Sequence, residues 1–128
     1  MSWLGKLFRL SRGPNWNKVD WMRLEADWQM ADHLWRSSNQ ADKKQAVIQA
    51  DSAFDRLLIE AGLEGGSMGE RLKGINRLLD WGLYNRLWEA HKKRNELVHE
   101  TGSFVAYWDR TDYPAIYRQA AKQLRFGK

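Results

Sequence analysis

The stretch Glu89-Ala90-His91-Lys92-Lys93-Arg94-Asn95-Glu96-Leu97-Val98-His99-Glu100 reads as the end of a helix that begins near Leu83. At about 100° per residue, Leu83, Leu87, Ala90, Leu97 and Val98 share one apolar arc, and Arg94 falls near its middle. An arginine inside an apolar stripe is costly unless it is paired or faces a cleft. Two readings follow. In one, Arg94 forms a structural ion pair with a carboxylate on a neighbouring helix. In the other, its guanidinium meets phosphate in a cleft or at a subunit interface, where a permanent charge and bidentate donors are useful.

The same periodicity extends outward from this helix. Trp21, Leu24, Trp28, Ala31 and Trp35 recur at spacings of three and four, which predicts a long helix over about 17–37. Aromatics at this spacing are read as core or dimer packing, and His33 lies off the seam as a surface residue. Ser37-Ser38-Asn39 supplies N-cap chemistry for a second helix over about 40–61. Its stripe is Val47, Ala50, Phe54, Leu57, Leu58 and Ala61, with Gly62 placed as the stop. Ser67-Met68-Gly69-Glu70 has capping-box spacing and starts a short helix expected to carry Leu72, Ile75, Leu78 and Leu79. Asp80-Trp81-Gly82 reads as a junction, and Thr101-Gly102 as the end of the helix that carries Arg94. Asp112-Tyr113-Pro114 opens a last helix whose apolar side is Ile116, Tyr117, Ala120, Ala121 and Leu124. No strand pattern appears. The expectation is an all-α antiparallel bundle of four to five helices, residues 17–128, behind an amphipathic basic N-terminal segment, residues 1–16.

Composition narrows the function classes. The 128 residues suit a single core. With no cysteine, disulfides, thiolate chemistry and Cys-ligated zinc are excluded. The net charge of +5 is concentrated at the ends. Residues 1–18 carry Lys6, Arg9, Arg12 and Lys18 with no acid, and residues 110–128 carry five bases against Asp112. The middle of the chain is mildly acidic, so the case for RNA rests on local charge at Lys92, Lys93 and Arg94 rather than on the bulk balance. Trp3, Leu4, Leu7 and Phe8 share one helical face within residues 1–12, which suits docking on a core or partner subunit, or contact with a membrane surface. No apolar run approaches the roughly 20 residues needed to span a bilayer, and the chain reads as cytoplasmic.

His99 lies about 140° around the helix from Arg94, so regular spacing does not put the two on one face. They converge if the helix frays or if two subunits face each other. His99 also sits at a helix C-terminus, where a cap is the plain reading. His91 lies one turn before Asn95 on the same face, and reads equally as a polar residue at a packing interface. His91 and His99 have no third ligand, so no metal site and no cofactor are expected.

The string Arg94-Asn95-x-x-x-His99 resembles the R-x4-6-H motif of HEPN domains, small all-α domains found in RNA-cleaving toxins and in non-catalytic relatives. Further pieces occur in order: Ala50-Asp51 leading to Phe54 and Leu57, then Ala61-Gly62, then Met68-Gly69-Glu70-Arg71-Leu72-Lys73, then Leu87 to Asn95 closing on His99-Glu100. This series is similar to a HEPN-like unit of small bacterial proteins and covers about half of the chain. The resemblance implies a homodimer with a composite cleft. Arg94 would bind the scissile phosphate, and His99 would serve as general base or acid for an RNA 2′-hydroxyl without a metal. Asn95 would orient the pair, while His91 and Lys92 would contact the RNA backbone. It equally implies a non-catalytic dimeric module that binds a nucleotide, RNA or a protein partner.

Overall fold

The computed structural model describes residues 13–99 and 110–128. Among these residues the chain is helical, with no strand. A 3-10 turn over Trp16–Lys18 precedes five helices: α1 (Trp21–Trp35), α2 (Gln40–Glu60), α3 (Met68–Lys73), α4 (Trp81–His99) and α5 (Tyr113–Phe126). No helix among the described residues is long and apolar enough to cross a membrane. The expected amphipathic helix within residues 1–12, the expected stop at Thr101-Gly102, and most of the aromatic link before Asp112 lie outside the described residues.

Helix α2 is the central post and packs on each of the other four. Its seam is the expected one: Val47, Ala50, Phe54, Leu57 and Leu58 are buried. Contacts at the helix ends set the directions. The Asp20 N–H at the start of α1 donates to Glu60 at the end of α2, so these two run antiparallel. The Asp80 N–H, just before α4, donates to Gln123 near the end of α5, so that pair is antiparallel too. Trp35 meets Tyr113 edge to face, which sets α1 against α5 in the same sense. The result is an antiparallel bundle of α1, α2, α4 and α5, with α3 laid across one end of α2.

Local chemistry explains most boundaries. The Asn39 side chain accepts from the Ala41 and Asp42 N–H groups at the α2 N-terminus. Ala61 then ends the helix, and Gly62 takes φ +95°, a left-handed conformation open to glycine. Ser67 caps α3 by accepting from the Glu70 N–H at 3.2 Å, while the Glu70 carboxylate reaches back to the Gly66 N–H at 2.7 Å. Asp112 caps α5, and Pro114 occupies its first turn.

Three expectations need correction. The first long helix begins at Trp21 rather than Asn17, because Asp20 accepts from the Arg23 N–H and caps the helix there. The short helix stops at Lys73, with Gly74 as its C-cap. Ile75 and Leu79 still reach the core from the following turns, but Leu78 faces solvent. Helix α4 starts at Trp81, and Val98 is exposed rather than part of its buried arc.

Candidate functional site

Helix α4 sets His91 and Arg94 one turn apart on the side facing α2 and α5. Opposite them on α2 stands Asp51, inside the apolar seam between Val47 and Phe54. Its side chain is only 4% exposed. Burying a carboxylate costs several kcal/mol unless donors replace its water. Three side chains supply that replacement. Tyr117 on α5 donates its hydroxyl to Asp51 Oδ1 at 2.6 Å. His91 Nδ1 lies 2.9 Å from the same oxygen. Arg94 Nε stands 3.5 Å from Oδ2. Nδ1 is the His91 ring nitrogen that faces the carboxylate, and Nε2 is the ring's other functional atom.

This network ties α2, α4 and α5 together through one residue. It also tunes Tyr117. Burial pushes the Tyr117 hydroxyl well above the usual tyrosine range, and the Asp51 charge and hydrogen bond push the same way, while Arg94 pulls it down. Tyr117 therefore remains a neutral donor throughout the physiological range. Phe54 packs obliquely on its ring, and Trp88 stands edge-on to the His91 ring, so both donors are held from behind by apolar surface.

Arg94 combines the two readings of its sequence position. A carboxylate from another helix faces it, as in a structural pair, yet its side chain is 32% exposed. Its Nη1 donates to Asn95 Oδ1 at 2.9 Å. Its Nε is buried without a hydrogen-bond partner, since the 3.5 Å approach to Asp51 is an ion pair rather than a hydrogen bond. The guanidinium is thus steered from one side and open on the other.

The remaining expected site residues stand apart from the hub. Lys92 is exposed, and its Nζ is 3.8 Å from Glu89. His99 is the exposed last residue of α4, and no hydrogen bond or ion pair joins it to Arg94 among the described residues. No cluster of three potential metal ligands occurs among the described residues. A depression between α1 and α5 and another between α1 and α2, both among the described residues, are not lined by Arg94.

Sequence reasoning does not single out Asp51 or Tyr117 as site residues. Asp51 does carry a signal: an acid at the centre of an apolar seam is the same anomaly as Arg94 on α4. Tyr117 carries none, because a tyrosine on an apolar helix face reads as core.

Comparison with protein-family models, with curated proteins and with solved structures gave no match. The functional reading therefore stands on the site itself and on the sequence resemblance.

Other motif pieces have architectural explanations. Arg71 forms a bidentate pair with Asp55 at 2.7 and 3.0 Å and donates to the Gly65 carbonyl at 2.6 Å, locking α3 to α2. The hydrogen bond to Asp55 is the main reason the Arg71 guanidinium holds its proton even more firmly than usual. Gly69 lies against the Trp88 ring, where an added Cβ would stand 3.5 Å from Cη2.

Proposed function

We propose that this protein is a HEPN-like helical module that binds RNA, with Arg94 taking a phosphate of the strand. The observation that carries this reading is the state of Arg94: one edge steered by Asp51 and Asn95, the side chain one-third open to solvent. A guanidinium held in this way loses little rotamer freedom on binding an anion, and its planar donors match phosphate oxygens. The Asp51 charge offsets part of its attraction, so the site selects by geometry more than by bulk charge. The module works as a symmetric homodimer with α4 near the two-fold axis. Support for association comes from apolar side chains left open at the two ends of α4, Trp81, 80% exposed, at one and Val98 at the other.

Metal-independent RNA cleavage is the second reading, favoured by the Asp51–His91 pair. An aspartate fixes the imidazole orientation and would leave Nε2 to act as base, one helical turn before Arg94 on α4. The resemblance assigns the base to His99 instead, reaching Arg94 across the dimer. In either case the base takes the 2′-hydroxyl proton, the oxygen attacks phosphorus, and the bond to the 5′-oxygen breaks as that oxygen takes a proton from water, giving a 2′,3′-cyclic phosphate. The test is incubation of mixed RNAs in EDTA with the wild type, Arg94→Gln, His91→Ala and His99→Ala. Cyclic-phosphate ends lost with Arg94→Gln and one histidine variant establish cleavage and name the base. RNA binding that depends on Arg94 without cleavage supports the non-catalytic module. Binding that ignores Arg94 overturns the reading.

A further inference from the structure

The groove between α1 and α5, about 190 Å³, has a composition that the Arg94 site does not use. Arg118, Lys122 and Arg125 recur at spacings of four and three, so they line one face of α5. Glu25 is the acid among the lining residues, and Arg118 pairs with it. The opposite wall is Trp21. Its Nε1 donates to the Trp16 carbonyl at 2.9 Å, which fixes the plane of the indole. The Arg125 guanidinium lies 4.8 Å from the Trp21 ring centre and 5.0 Å from that of Phe126, so it joins the two aromatics in one layered cluster. Phe126 is 72% exposed.

We infer that this groove holds single-stranded RNA, with a base stacking on the Arg125–Phe126 surface and flanking phosphates meeting Lys122 and Arg118. The inference deepens the RNA-binding reading and rests on it. Cations alone would suit any anion. An exposed aromatic beside a guanidinium already stacked on a fixed indole suits a planar base, because bases stack on aromatic faces and on arginine planes. A flat anionic bilayer has no use for a concave wall whose buried floor is Trp28 and Leu24. An acidic peptide would engage the cations but leave the ring surface unused. The groove also sits next to the hub along the chain: Tyr117 turns inward to Asp51, and its neighbour Arg118 turns outward to Glu25.

The test uses the full chain and a fluorescein-labelled mixed-sequence single-stranded RNA, followed by anisotropy over a range of salt. Variants are Lys122→Gln with Arg125→Gln, Phe126→Ala, and Arg94→Gln, each checked for native melting. The double variant is expected to weaken binding at least tenfold and to flatten the salt dependence by about 0.7 for each phosphate that is no longer neutralised. Phe126→Ala is expected to weaken binding several-fold with the salt slope unchanged, which an electrostatic surface alone would not show. If Arg94→Gln weakens binding and the groove variants match wild type, the groove assignment falls and the RNA reading stands. If RNA does not bind at all, both fall. If the groove variants lose affinity for an acidic peptide or for anionic vesicles but keep it for RNA, the groove serves another partner and the proposal is overturned.

Discussion

Two aspartates of α2, one turn apart, each pair with an arginine from another helix, and the two pairs are built differently. Asp55 and Arg71 make a closed clamp: two parallel hydrogen bonds, a third donor satisfied by Gly65, and an arginine side chain only 13% exposed. Asp51 and Arg94 make an open one. The acid is nearly sealed, the ion pair is 3.5 Å long, one guanidinium nitrogen is left without a hydrogen bond, and the arginine is partly exposed. In the closed clamp both partners exhaust each other. In the open one the acid is satisfied mainly by Tyr117 and His91, so the arginine remains available. One helix thus anchors the same two residue types as a closed pair at one level and as a partly exposed pair at the next; only under the proposed RNA-binding reading does the second present its arginine to a ligand.

The largest effect is expected from Asp51→Ala. It strands the Tyr117 and His91 donors inside the bundle and removes the carboxylate opposite Arg94, and breaking a buried charged pair from one side costs about 3–5 kcal/mol. Urea unfolding with an unchanged slope would report it. A cost under about 1 kcal/mol, the scale of one ordinary hydrogen bond, would mean that the hub does not hold the helices together. Next comes Arg71→Ala, which loses a bidentate charged pair but leaves a partly exposed acid that water can reach; about 2 kcal/mol is expected. Arg94→Gln should cost less than Arg71→Ala, about 1 kcal/mol, because Asp51 keeps its hydrogen bonds with Tyr117 and His91. Reversal of that order in thermal melts would collapse the distinction between closed and open clamps.

Tyr117→Phe is the finest probe. It removes one hydrogen bond to a carboxylate, worth about 1.5–3 kcal/mol, and the loss should sit at the low end because the ring packing survives. The alkaline limb is more diagnostic. The folded Tyr117 pKa is raised, so its neutral form is favoured in the native state. Its contribution is fully present below the ordinary tyrosine value of about 10 and is lost as pH rises from there through the folded value. Stability should fall more steeply above about pH 10 in the wild type than in Tyr117→Phe. Parallel alkaline curves would show that Tyr117 ionises as freely as in the unfolded chain.

Local signals carry much of this fold. Asn39, Ser67 with Glu70, Gly62 and Asp112 act within a few residues of themselves, so their capping roles are legible from spacing. Asp20 is equally local, and the start of α1 is misplaced when periodicity is read before the cap. The α3 boundary is harder: Ile75 and Leu79 are buried, so their apolar character mimics a helix that Gly74 has already ended. At the site, the oddity of Arg94 is visible in the sequence but its partner is not, because only the packing of α4 on α2 selects Asp51 over the other acids. The α1–α5 groove is legible only as a basic C-terminal stretch; its Trp21 wall comes from the other end of the chain, joined by tertiary packing.

The most direct test of the central claim is the RNA dissociation constant of Arg94→Gln relative to Arg71→Gln, both measured on protein that melts cooperatively. The open-clamp account predicts at least a tenfold weakening for Arg94→Gln and none for Arg71→Gln. Equal affinities for the two variants, whether both weak or both unchanged, would contradict it.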